Sequence, residues 1–213
     1  MKCDLCPRKC LVDRKKGEKG ICGQTENLKV ARAALHFWEE PCISGDAGSG
    51  AVFFSGCPLH CVFCQNENIA NGTVGKEISL ERLVDIFLEL QEKRANNINL
   101  VTPGHFVPQI VKALDQARKE GLTLPVVYNT SSYETVDTIK MLEGYVDIYL
   151  PDFKYMSPVL SKKYSHAPDY AEVAKAAIAE MVRQTGPAAI EDEQLVRGTL
   201  VRHLVLPGYL DNT

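Results

Sequence analysis

The sequence predicts an α/β protein built on a sheet of parallel strands. Three observations carry this. Short runs rich in Val, Ile, Leu and aromatics alternate with stretches of helical apolar spacing. The loops between them are short, which implies parallel strands and right-handed crossovers. Three of the five runs lack clean in–out alternation, as strands covered on both faces do. An open doubly wound sheet and a (β/α) barrel both satisfy the pattern.

In chain order, the first strand candidate is 51–55 (AVFFS). The helix expected at 80–95 has Leu80, Leu83, Val84, Phe87 and Leu90 on one face behind a Ser79 cap. Strand 98–101 (INLV) leads to helix 107–120, where Val107, Ile110, Val111, Leu114 and Ala117 share a face and Gly121 suits the stop. Strand 125–128 (PVVY) precedes a shorter helix at 134–143, with Ser131 and Glu134 spaced as a capping box and Gly144 beyond its end. Strand 146–150 (VDIYL) follows. Helix 170–185 has the clearest periodicity, with Asp169 and Glu172 placed to cap it and Gly186 to end it. The last strand candidate is 199–206 (TLVRHLVL). No internal repeat or low-complexity tract interrupts this order.

The unusual residues fall after the strands. CPLHCVFC follows the first, TPGH the second, NTSS the third, PDFK the fourth and PGYLDN the fifth. In both α/β architectures the ligand site forms at the carboxyl ends of the strands, so these five segments are expected to line one pocket. Ordinary turn chemistry accounts for TPGH and PGYLDN. It accounts poorly for Asp152 and Lys154 beside a strand end, and not for three cysteines.

Composition narrows the class. The 213 residues are 45% hydrophobic and 24% charged, which fits one domain with a real core, with or without a small appendage. A net charge of −3 argues against a general nucleic-acid binder. The first 20 residues hold seven Lys/Arg against three Asp/Glu. Their charges stand where a signal peptide has its apolar centre, and no apolar stretch reaches the roughly 18 residues of a membrane span. The expectation is a cytoplasmic protein with neither nucleic acid nor membrane as partner.

Eight cysteines remain. Without an export signal a disulfide framework is disfavoured, and clustered thiols in a reducing compartment more often hold metal or do chemistry. Cys57, Cys61 and Cys64 form C-x3-C-x2-C; Cys3, Cys6, Cys10 and Cys22 form C-x2-C-x3-C-x11-C; Cys42 stands alone. A closed zinc site or an electron-transfer cluster takes four protein ligands. His60 would complete a Cys3His zinc site, whereas three thiolates alone leave a cluster with one iron open to another ligand. The N-terminal four have four-ligand arithmetic in a basic, loop-like stretch too short for its own core, which zinc or a second iron–sulfur cluster would give a reason to fold. Four free cysteines in a flexible arm is the plainer alternative. Cys42 reads as a structural thiol.

With Phe63 as its aromatic, CPLHCVFC resembles the signature of radical S-adenosylmethionine (SAM) enzymes. Together GSGAVFFSGCPLHCVFCQN, CDLCPRKC…GEKGICG, EEPCISG, NLVTPGHF, VYNTSSY, DIYLPDFKY and VRHLVLPG resemble the pyruvate formate-lyase activating enzyme-like subgroup over nearly the whole chain. The resemblance implies a radical SAM oxidoreductase. Cys57, Cys61 and Cys64 would hold a [4Fe–4S] cluster whose open iron takes the amine and carboxylate of SAM. One electron would then release methionine and a 5′-deoxyadenosyl radical. Phe63 would pack on the adenine, Asp152 meet a ribose hydroxyl and Lys154 the SAM carboxylate. Asn129, Thr130 and Ser131 would supply hydrogen bonds to SAM. Implied partners are an electron donor such as flavodoxin or ferredoxin and, for an activase, a glycyl-radical enzyme. Another small-molecule or protein substrate, or a non-catalytic iron–sulfur or zinc protein, are the alternatives.

The chain departs from that pattern in two places. Thr102, Pro103, Gly104 and His105 stand where many relatives carry Gly-Gly-Glu-Pro to receive the SAM amine, so an acidic residue is absent. Carbonyls of this segment remain available to the ammonium, and His105 is read either as acting on SAM or substrate or as capping the next helix. The chain also stops after its fifth strand, where such cores have six. The expected architecture is thus a radical SAM partial (β/α) barrel of parallel strands lacking the sixth, residues 49–213, with a Cys-rich, metal-binding N-terminal extension, residues 1–48. The expectation at that end is a fragment, a shortened product or an edge closed by another chain.

Overall fold

The structure, a computed structural model, describes residues 2–212. Among the described residues nine strands form one sheet: β1 (Lys29–His36), β2 (Ser49–Phe54), β3 (Lys76–Glu77), β4 (Ile98–Val101), β5 (Val126–Thr130), β6 (Ile148–Phe153), β7 (Ala189–Glu191), β8 (Gln194–Thr199) and β9 (Arg202–His203). The spatial order is β3-β1-β2-β4-β5-β6-β8-β7, with β9 also pairing on β6. From β2 to β8 all neighbours run parallel. The flanking β1 and β7 pair antiparallel. The sheet is mixed α/β and open, not a closed barrel.

The helices are α1 (Pro41–Ser44), α2 (Glu67–Ala70), α3 (Leu80–Glu92), α4 (Val107–Lys119), α5 (Val136–Lys140), α6 (Pro158–Ser165) and α7 (Tyr170–Thr185). Among the described residues no helix is long and apolar enough to cross a membrane. Ser79 caps α3 by accepting from the Arg82 N–H. The main core joins β2, β4, β5 and β6 to α3, α4 and α7 through Phe54, Phe87, Ile110 and Met181. A second cluster of Leu59, Tyr133, Tyr155, Tyr170 and Leu206 packs beneath Cys57 and Cys61.

Several expectations are corrected. The fifth strand begins at Gln194 and not at 199: β8 pairs with β6 through Gly198 and Thr199, the strand breaks, and β9 resumes opposite Asp152 and Phe153. The predicted 204–206 lies outside it. The helix at 134–143 shrinks to α5, capped by Thr135, whose hydroxyl accepts from the Thr138 N–H. Glu134 caps nothing; its carboxylate turns inward to the Thr130 hydroxyl (2.8 Å). Asp169 likewise accepts from the Tyr133 hydroxyl (2.8 Å) and leaves α7 without a side-chain cap. Strand β1 is an addition. Its sequence KVARAALH is rich in good helix formers, and pairing along β2 overrides that propensity. The 1–48 stretch therefore gives a strand to the same sheet.

Candidate cluster and SAM site

β2 is buried along nearly its whole length and delivers the chain to Gly56. Gly56 has φ +88°, and a Cβ there would run into the Cys22 carbonyl oxygen; only glycine permits this approach. Cys57, Cys61 and Cys64 follow and line one cavity of about 520 Å³ at the carboxyl ends of the parallel strands. Phe63, Thr102, Asn129, Ser131, Asp152 and Lys154 line the same cavity, so four of the five predicted segments meet there.

The thiols are placed by neighbours. Leu59 N–H donates to Cys57 Sγ (3.4 Å) and the Ser165 hydroxyl to Cys61 Sγ (3.1 Å). Burial pushes the Cys57 thiol up to about 11 and raises Cys61 as well. Thiols so buried stay protonated near neutral pH, and iron must displace their protons on binding. His60 donates its Nε2–H to the Ile21 carbonyl (2.7 Å) and does not line the cavity. Among the described residues no group of three or more His, Cys, Asp or Glu is set to hold a metal ion.

Asp152 and Lys154 pair at 2.6 Å. The Tyr170 hydroxyl ties their segment to the third strand end, donating to the Ser131 carbonyl and accepting from the Lys154 N–H. Two residues of the predicted site lie elsewhere. Gly104 packs against the Glu134 carboxylate, and His105 is buried with its Nε2–H on the Ser55 carbonyl (2.7 Å). Neither lines the cavity. His105 also fails to cap α4; burial lowers its pKa to about 3 and keeps it neutral. Its position braces the end of β2 just before the cysteines.

Sequence reasoning missed Arg202, Glu39 and Trp38, which line the cavity too. Arg202 reaches Asp152 (2.7 Å), Asn129 (2.7 Å) and Glu39 (3.2 Å). Burial raises the Glu39 carboxyl pKa, against the pull of Arg202. The run FWEEP, a tryptophan and two acids before a proline, was the available signal.

Three thiols gathered at one end of a parallel sheet, beside a cation–carboxylate cluster, define an α/β protein built to hold an inorganic cluster next to a polar ligand. The chain belongs to the Radical SAM superfamily, which its residues 51–212 match. It is also similar to "Uncharacterized protein MJ0674" of Methanocaldococcus jannaschii, with 30% identity over 215 residues, covering 98% of this chain and 58% of that protein. The chain thus spans little more than half the length of that relative. Family membership implies an enzyme that cleaves SAM at an iron–sulfur cluster. The residues present fit both groups: the cavity offers three thiols and, beside them, donors and acceptors of both charges.

Proposed function

We propose that this chain is an activase similar to the pyruvate formate-lyase activating enzymes, raising a glycyl radical on a partner protein. In this reading residues 49–213 are the radical SAM core, its parallel strands a partial barrel, and residues 1–48 a Cys-rich extension. Cys57, Cys61 and Cys64 hold the cluster, which when bound supplies the electron that cleaves SAM. Lys154 binds the SAM carboxylate, while Asp152, held between Lys154 and Arg202, takes a ribose hydroxyl. Asn129, Ser131 and Thr102 orient the methionine and ribose, and Phe63 packs on the adenine. Glu39 brings the carboxylate that segment 102–105 lacks. Flavodoxin or ferredoxin is the electron donor.

The observation that carries the choice of a protein substrate is the cavity's entrance. Trp38 lines it while remaining 89% exposed. Sites for small molecules usually enclose most of the ligand, whereas a peptide loop needs an open side with an aromatic contact. The test is to mix the reconstituted protein anaerobically with SAM, reductant and a glycyl-radical enzyme from the same genome, and to record EPR spectra. A glycyl doublet that requires SAM is expected. If SAM is consumed and no protein radical forms, the activase reading fails and another small-molecule or protein substrate takes its place.

A further inference from the structure

One charge at the cavity has no counter-charge. The lining includes three Lys or Arg side chains, Arg32, Lys154 and Arg202, and two carboxylates, Glu39 and Asp152. Asp152 sits between Lys154 (2.6 Å) and Arg202 (2.7 Å), and Arg202 also reaches Glu39 (3.2 Å). Among the described residues the Arg32 guanidinium makes no hydrogen bond and no ion pair.

A break in the pairing of β1 puts Arg32 there. Val30 pairs with Phe54, and both side chains belong to the main core. Unbroken antiparallel register would set Arg32 opposite Val52, another core residue, because side chains alternate faces along a strand. Ala31 is instead an extra residue, and Arg32 pairs with Phe53, which lines the cavity. Bulges of this kind re-aim side chains and gather beside functional sites. The new phase persists downstream, with Ala33 and Leu35 against the core and His36 on the cavity. Gly75, at φ +124°, closes over the bulge: a Cβ there would come within 3.0 Å of the Val30 carbonyl oxygen and 3.2 Å of the Ala31 Cα.

SAM leaves this cation unused in the reading proposed above. It carries one carboxylate, assigned to Lys154 just past the end of β6, and its sulfonium and ammonium are positive. Arg32 lies on β1, four strands away in the sheet and roughly 19 Å along it at about 4.8 Å per strand. The anion that faces Arg32 therefore belongs to a second molecule. One uncompensated positive charge matches one carboxylate, which the guanidinium fork takes through two hydrogen bonds. The rings beside it suit a peptide: His36 stands edge-on to Phe53 at 6.2 Å, and the exposed Trp38 follows.

We propose that Arg32 receives a carboxylate of the second substrate, an aspartate or glutamate near the residue that loses its hydrogen, and so sets substrate choice. The peptide rests on the activase reading, whereas the carboxylate site is measurable without any radical. Trp38 is the one tryptophan of the chain, so its fluorescence reports on this cavity.

The full chain is reconstituted anaerobically, saturated with SAM and given no reductant. It is titrated with a capped pentapeptide that has glycine at its centre and aspartate at both ends, and with the asparagine counterpart. The aspartate peptide should bind roughly fivefold more tightly, the scale of one exposed ion pair. That gap should close in about 1 M salt. Arg32→Gln should remove the preference and Arg32→Lys keep part of it, with the affinity for SAM unmoved. Equal constants for the two peptides, no saturable response to the aspartate peptide, or a preference that survives Arg32→Gln overturns the proposal. So does a weakened SAM titration in Arg32→Gln, which assigns the cation to SAM. Sodium succinate that binds as tightly as the aspartate peptide, and through Arg32, keeps the carboxylate site and ends the activase reading instead.

Discussion

Cys57, Cys61 and Cys64 follow a strand buried along nearly all its length, and the first two pack on a cluster of tyrosines. Cys3, Cys6, Cys10 and Cys22 sit in a segment whose own buried apolar side chains are two of those thiols. In the first region the fold positions the thiols and the cluster adds chemistry. In the second, apolar burial contributes little, and the ordering of about 25 residues, at roughly 1–2 kcal/mol each, leans on polar anchors such as Arg8 and Arg14. The same residue type thus stands on a packed core in one place and in a loop-like segment held by polar anchors in the other.

Removing thiols from each region should separate their roles. Cys57→Ala, Cys61→Ala or Cys64→Ala should abolish the SAM-responsive EPR signal completely while hydrogen exchange across β2, β4 and β5 stays protected. Cys22→Ala should instead deprotect residues 2–27 and spare the sheet. Loss of protection in both regions from either substitution would end the distinction.

A smaller effect is expected at Arg14, the buried peg between the regions. Its guanidinium donates to the Thr25 and His105 carbonyls and lies over the Phe106 ring at 5.4 Å. Arg14→Ala strands those carbonyls and should cost roughly 3–5 kcal/mol in urea unfolding, since hydrogen bonds to charged groups contribute about 1.5–3 kcal/mol each. An unchanged midpoint would show that Arg14 does not anchor the N-terminal segment.

Within the cavity, Lys154→Ala and Asp152→Ala should bind iron normally and weaken SAM binding roughly 10- to 100-fold, the loss of one charge-assisted hydrogen bond. The check is a SAM titration of the EPR signal. Curves that overlay the wild type reduce the pair to an ion pair of the strand end.

The smallest effect concerns Glu134, whose carboxyl pKa burial raises to about 7. Its folded pKa exceeds its ordinary value of 4.5, so the native state binds more protons between these values. The associated stability is present at acid pH and lost as pH rises through 7. Glu134→Gln should therefore gain on the wild type by on the order of 1–2 kcal/mol between pH 5 and pH 8, followed by thermal melts. A gap that does not change with pH would contradict this assignment.

The parallel strands and long helices were legible because their apolar spacing is regular and their loops short. β1 was not, since Ala, Arg and Leu in KVARAALH favour a helix and only the neighbouring β2 makes it a strand. The CPLHCVFC loop and the Asp152–Lys154 pair could be read from spacing beside a strand end. Arg202 and Glu39 could not, because their meeting across 163 residues is made by the sheet. His105 misled for a similar reason: a histidine after a strand reads as a site residue until packing shows it facing the Ser55 carbonyl.

The proposed chemistry is SAM cleavage at a cluster held by the three thiolates of one loop. It is tested most directly by chromatographic assay of 5′-deoxyadenosine from SAM, with dithionite, in the reconstituted wild type and the Cys64→Ala variant. Formation of 5′-deoxyadenosine by the wild type and none by the variant is predicted. An iron-loaded wild type that forms none, or a variant that forms as much, would contradict it.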